Sequence, residues 1–148
     1  FMQNFHTFWI GGILNDGKIY FPGGDAKTSF IDARDIAASA FELLTGDKLA
    51  NQALTLTGGE ALTHDEVAAK LSKTTGKTIT YADISSEAFQ QALSSAGLPQ
   101  DYVGFLAYIA SALKSGAASP ITDNVKLITR KAPISFDQYA ADFKAKWI

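Results

Sequence analysis

Few side chains in this sequence have the type and spacing for chemistry, and that sparsity already removes several reaction classes. There are two histidines, His6 and His64, and no cysteine, so thiolate catalysis, disulfides and sulfur-ligated metals are excluded. The histidines form neither an H-x-x-x-H nor an H-E-x-x-H pattern, the spacings that set two imidazoles on one helix face around zinc. His64 is the second residue of Thr63-His-Asp-Glu66, a capping-box pattern, which predicts a solvated ring. His6 lies among aromatic residues, where a partly buried ring with a local hydrogen bond is expected. Asp32 and Asp35 stand three residues apart, as a carboxylate pair for acid–base work could. Both sit where a strand gives way to a helix, and an acid there caps free amides at the positive helix end. That environment lowers a carboxyl pKa and spoils it as a base at neutral pH, so capping is the expected role, with Arg34 solvated or bridging.

Other catalytic signatures are missing. No G-x-S-x-G elbow occurs, and the glycine pairs at 11–12, 23–24 and 58–59 fit neither the P-loop nor a G-x-G-x-x-G opening a helix. No lysine follows four residues after any of the five tyrosines, so a Tyr-x-x-x-Lys pair is absent. The catalytic residues are therefore unassigned at this stage.

The elements that would position a site are easier to read. Phe1, Phe5, Phe8 and Trp9 recur at helical spacing over residues 1–14, with Gly11-Gly12 weakening the far end. Asn15-Asp16-Gly17 predicts a turn, 18–21 a strand ended by Pro22-Gly23-Gly24, and 28–32 a second strand. Residues 33–44 predict a helix with Ile36, Ala40, Leu43 and Leu44 inward and Gly46 beyond its end. Strand 53–57, a helix from Thr63 to Gly76, strand 78–82 and a helix from Ser85 or Ser86 through Leu93 continue the alternation, which predicts an α/β architecture. Beyond Pro99 the chain is helical and apolar, with Tyr102, Phe105, Leu106, Ile109 and Leu113 as one stripe and Val103 and Tyr108 off it. Such a helix is core, a lid or a dimer face, with core the first expectation. Ser135-Phe-Asp-Gln138 opens a last helix with Phe136, Tyr139, Ala140, Phe143 and Trp147 inward.

Composition sets the outer bounds. At 47% hydrophobic and 19% charged residues, the 148-residue chain is an ordinary globular domain. A net charge of −2 with scattered basic residues leaves no electrostatic footprint for nucleic acid or for an anionic membrane surface. No apolar run approaches the ~20 residues of a membrane span. The lack of cysteine accords with a cytoplasmic setting. A chain opening Phe-Met inside an apolar segment reads as a fragment of a longer protein.

A resemblance extends this reading. The segments FMQNF (1–5), TSFIDARDIA (28–37), ALTLTGGEALTHDEVAAKLSKTTGK (53–77), ITYADIS (79–85) and TDNVKLITRKAPISFDQYAADF (122–143) follow one another as in NmrA-like proteins. These are atypical short-chain dehydrogenases/reductases that include NAD(P)H:quinone reductases, isoflavone-reductase-like enzymes and redox-sensing regulators. The resemblance implies the C-terminal, substrate-binding lobe plus the last strands of a Rossmann-like NAD(P)-binding fold, with the N-terminal nucleotide-binding half absent. It divides the chain into 1–57, the end of the Rossmann-like sheet region, and 58–148, a mostly helical substrate lobe. It places Phe1, Met2, Asn4 and Phe5 beside substrate and nicotinamide; if the apolar helix beyond Pro99 is a lid and not core, Tyr102, Phe105 and Tyr108 are its candidate residues. Aromatic and thioether groups offer a flat wall to a ring such as a quinone, and Asn4 could bond a carbonyl or carboxamide. The implied activity is NAD(P)H-dependent reduction of a small carbonyl or quinone-like acceptor. The alternative is a non-catalytic NAD(P)-sensing regulator that docks a protein partner. The cofactor belongs to the full-length protein, and tight binding to this chain alone is not expected. Expected partners are the small-molecule substrate and the missing N-terminal half, with homo-oligomerisation left open.

Overall fold

Two short parallel strands and seven helices carry the described part of the chain, which in this computed structural model is residues 1–46, 49 and 51–148. Strand β1 (Lys18–Phe21) pairs in parallel with β2 (Thr80–Asp83), in register from Lys18 opposite Thr80 to Phe21 opposite Asp83. A parallel pair needs a long crossover, and here it carries helices α2 (Ala33–Thr45) and α3 (His64–Thr75). The expected α/β architecture is therefore present, with a small sheet.

The two other expected strands do not form ladders. Residues 28–32 contribute one bridge, Thr28 to Leu62, and residues 53–57 pair with no strand. A ladder needs a neighbouring edge, and at 53–57 side chains take its place. Thr122 Oγ1 and Asn124 Nδ2 donate to the Thr55 carbonyl at 2.7 and 2.8 Å. Gly58 lies so close to the Phe30 carbonyl that an added Cβ would stand 1.9 Å from its oxygen, so only glycine permits this chain crossing.

At the start, the aromatic helix expected over 1–14 is two elements: a 3-10 turn, Met2–His6, and helix α1, Ile10–Asp16. Gly11 and Gly12 lie inside α1 and do not end it. Helices α4 (Ser86–Ser95) and α5 (Gln100–Lys114) pack on one another, followed by α6 (Asn124–Thr129), α7 (Phe136–Asp142) and a short 3-10 turn, Lys144–Lys146. The expected caps are in place: Thr63 and Glu66 form a full capping box, Ser85 caps α4, and Ser135 caps α7. The short α6, which no periodic run announced, packs against α2.

Two helices turn a different face inward from the one expected. In α2 the buried residues are Asp35 and Ser39, while Ala40 is exposed, Phe41 is 64% exposed and Leu44 86% exposed. Hydrogen bonding contributes to this, because the Asp35 carboxylate accepts from the Ile134 amide on the inner side. In α5 the inward set is Val103, Leu106, Ala110 and Leu113, and Tyr102, Phe105, Tyr108 and Ile109 are exposed. The small residues Val103 and Ala110 let α5 seat against Phe21 and Phe89, which the bulkier stripe would not allow.

The larger core joins Met2 and Phe5 to Ile19, Val67, Leu71 and the α7 residues Phe136 and Tyr139. It thus draws on both sides of residue 57. Trp147 closes it, fully buried, with its indole Nε1 donating to the Phe5 carbonyl at 3.0 Å. Each such side chain stabilises the fold by about 1.5–3 kcal/mol, and the last turn is fastened directly onto the first.

Candidate functional site

The 3-10 turn Met2–His6 sorts its side chains by its own geometry. With three residues per turn, positions i and i+3 eclipse. Met2 and Phe5 share the inward face and are fully buried, Phe5 with its ring 4.8 Å from Trp9, 5.2 Å from Phe30 and 5.3 Å from Phe136. Gln3 and His6 share a second face. Gln3 donates to Asp32 Oδ1 and accepts from the Ala33 amide, both at 2.9 Å, and His6 Nδ1 lies 2.7 Å from the Tyr139 hydroxyl. His6 is therefore the half-buried, hydrogen-bonded ring expected, though its partner is 133 residues away; it stacks on Tyr139 at 5.7 Å and lies tilted against Phe143 at 4.5 Å, with burial and the nearby Lys146 lowering its pKa. Phe1 and Asn4 occupy the third face. Phe1 is exposed, Asn4 is half-buried, and the Asn4 side-chain amide has no hydrogen-bond partner among the described residues. Of the four residues expected to line a cleft, Phe1 and Asn4 present side chains at the surface. Met2 and Phe5 lie beneath them, buried in the core.

The two aspartates behave differently from one another. Asp32 is fully buried and caps α2, accepting from the Arg34 amide at 2.8 Å, from Arg34 Nε and Nη2, and from Gln3. Burial pushes its pKa up, but the bonds from Arg34 and Gln3 outweigh that and hold it below the usual carboxylate range. Arg34 bridges Asp32 to Asp142, 2.8 and 2.7 Å away. Asp35 is not a cap. Its Oδ2 accepts from the Ile134 amide at 2.8 Å, and burial raises its pKa despite that bond, where a lowered value was expected. Both acids are structural ties with no open approach.

His64 departs furthest from expectation. It is 1% exposed instead of solvated, and neither ring nitrogen has a partner. The first turn of α3 carries it into a box of Phe5, Trp9, Phe21, Phe30 and Tyr81, the nearest ring centroids being Phe21 at 4.9 Å and Tyr81 at 5.2 Å. Burial pushes its pKa down to about 4. The capping box was legible in the sequence, but not the face on which its second residue falls.

On α5, Tyr102 and Phe105 stack at 6.3 Å, and with Tyr108 they face away from the core. They are exposed as a lid would be, yet make no ring contact with residues 1–9 among the described residues. A groove between α2 and α6, lined by Leu43, Leu127, Ile128 and Arg130, opens at the far end of α2. At 1.5 Å per residue that is roughly 15–20 Å from the Phe1–Asn4 edge. Among the described residues no cluster of three metal-ligating side chains occurs. No glycine pair cradles a dinucleotide either. Gly11-Gly12 lie within α1, Gly58 serves the chain crossing, and the Gly23 and Gly24 amides are already bonded to the Tyr81 hydroxyl and Asp83 Oδ1. Among the described residues, these glycine pairs therefore do not fit a pyrophosphate. No helix is long and apolar enough to cross a membrane, among the described residues.

Known proteins agree with this architecture. An uncharacterized oxidoreductase of Bacillus subtilis is 36% identical over 99% of this chain and 52% of its own length. An NAD(P)H azoreductase of Xenophilus azovorans is 34% identical over 95% of this chain and 49% of its own. The solved NADPH-dependent quinone oxidoreductase of Escherichia coli shares the fold with a TM-score of 0.86 at 23% identity, covering 96% of this chain and 51% of that one. This chain thus spans about half the length of its relatives, and its fold matches the C-terminal half of NAD(P)-binding reductases. The family model for NmrA-like proteins matches residues 1–140, and the chain belongs to the NmrA-like family.

Proposed function

We propose that this chain is the substrate-side half of an NAD(P)H-dependent reductase of a small quinone-like or carbonyl acceptor. The observation that carries the reading is the 3-10 turn, whose two inner faces are locked and whose outer face offers one exposed aromatic ring and one unpaired amide, Phe1 and Asn4. Oxidoreductases among the relatives, an azoreductase included, support the reaction class. The cofactor supplies the hydride when bound, and it is held by a nucleotide-binding half outside these residues. The work left to this chain is orientation: Asn4 bonds an acceptor oxygen, Phe1 covers a ring face, and Met2, Phe5, Gln3 and Asp32 fix the turn that carries them. Tyr102, Phe105 and Tyr108 are proposed to close over the acceptor.

The test uses the full-length protein, NADPH and a series of quinones. Asn4→Ala should cost about 1–3 kcal/mol in kcat/KM, the range for an unpaired polar group. Phe1→Ala should raise the acceptor KM several-fold and leave cofactor affinity unchanged. NADPH binding without turnover of any quinone, carbonyl or azo acceptor would instead point to the sensing regulator.

A further inference from the structure

We propose that His64 is an acid-operated latch: protonation of its ring, caged by five aromatic rings with neither nitrogen paired, drives it out past the Pro22–Gly24 strap and parts the two core clusters that meet around it. The ring sits where those clusters join. Phe5 and Phe30 belong to the larger one, Phe21 to the smaller, and Trp9 and Tyr81 pack against both. A buried donor or acceptor left unpaired is costly, so the closed state already carries a penalty that opening to water removes. An imidazolium would cost more, with two N–H donors in an aromatic box and the positive end of α3 beside them.

The exit lies on one side. A Cβ placed on Gly23 would stand 3.2 Å from His64 Nδ1, so the strap lies directly over that nitrogen. The strap is glycine-rich, with Gly24 at φ +58, and two side chains of β2 fasten it. The Tyr81 hydroxyl accepts from the Gly23 amide and Asp83 Oδ1 accepts from the Gly24 amide, each at 3.0 Å. The titratable groups facing His64 are also on β2. Tyr81 is stacked on the ring and burial keeps its hydroxyl protonated, and Asp83 weakly favours the charged ring. The bond from Gly24 holds the Asp83 carboxyl below its usual range, and Lys114 lies 4.0 Å from it. Phe5, Trp9, Phe21 and Phe30 bring no titratable group. On its own helix Asp65 and Glu66 are exposed, with Glu66 turned back to the Thr63 amide. Acid therefore acts on the ring, and the Gly23 bond to the Tyr81 hydroxyl is untouched by it until the ring leaves.

With only two histidines, the proton NMR spectrum of this chain resolves both C2–H signals. His64 should not titrate as a free imidazole near pH 6.5, and its signal should shift only together with opening, near pH 4. Protection of the Gly23 and Gly24 amides should fall at acid pH before that of Val67 in the core. The folding constant, relative to that of His64→Phe, should drop by up to about tenfold per pH unit between 6.5 and 4, roughly 150-fold by pH 4. Asp83→Asn should leave that drop in place. Free titration of His64 near 6.5 in the folded chain would overturn the latch, and so would simultaneous loss of protection at Gly23 and Val67. The first two readouts need no variant, so a His64→Phe chain that fails to fold does not shelter the proposal.

Discussion

At the scale of single residues, Asp32 and Asp35 show how one spacing yields two opposite contributions. Asp32 has its pKa held below the unfolded value by Arg34 and Gln3, so it stabilises the fold above that unfolded value and the stability is lost as pH falls through the lower one. Asp35 has its pKa raised by burial, so the folded state binds its proton more readily, and its contribution is lost as pH rises through the raised value. At pH 7, Asp32→Ala should destabilise by about 2–4 kcal/mol, combining a lost cap with charge-assisted bonds. Asp35→Asn keeps an acceptor for the Ile134 amide without a buried charge, so it should equal or exceed the wild type at pH 7 and lose that advantage by pH 4. Asp35→Ala, which strands that amide, should cost about 1–3 kcal/mol. Urea denaturation of the three variants at both pH values checks each sign, and a stability loss in Asp35→Asn at pH 7 would show that its charge is needed.

For the elements, the informative case is α5, whose sequence stripe and buried face differ. Helical periodicity counts apolar residues and does not rank them by shape, and here size decides. Val103 and Ala110 admit close approach to Phe21 and Phe89, whereas Tyr102, Phe105 and Tyr108 would hold the helix away. Truncating Val103 to Ala should therefore cost about 1–3 kcal/mol through lost transfer energy and a cavity. Phe105→Ser and Tyr108→Ser should change stability by less than about 0.5 kcal/mol, as exposed sites do. If the proposed reductase activity holds and those two raise the acceptor KM of the full-length protein at unchanged stability, the aromatic face serves the site. A stability loss equal to that of Val103→Ala would return them to the core.

Across the whole molecule, α2 carries the clearest sign of surface awaiting a partner. It buries Asp35 and Ser39 and turns Ala37, Ala40, Phe41 and Leu44 outward, the reverse of a solvent-facing helix. Exposed apolar stripes of this kind mark interaction surfaces. The 148-residue chain by itself should therefore self-associate at high micromolar concentration. A Phe41→Ser, Leu44→Gln double variant should sediment as a monomer with its helical content intact. Undiminished association of the double variant would place the sticky surface elsewhere, on Phe1 or on α5.

What the sequence by itself determined were the local events: the capping box at Thr63, the cap at Ser135, strand β1, the breaks at Gly17 and Gly76, and the inward set of α7. These depend on neighbours one turn away, and the residues that decide them are adjacent in the chain. The order of motifs from FMQNF to QYAADF likewise sufficed for the family, because order along the chain is itself sequence information. Tertiary structure alone decided which face of α2 and α5 turns inward, whether 28–32 and 53–57 find a strand edge, and where His64 goes. Each of those depends on a group far away in sequence: Ile134 for Asp35, Phe21 for α5, Thr122 and Asn124 for Thr55, and the convergence of residues 5, 9, 21, 30 and 81 around one imidazole. The Phe1–Asn4 edge falls between the two. The sequence marked the segment, and the three-residue period of a 3-10 turn, set by its bonds to α2 and α7, divided it into a buried pair and an exposed one.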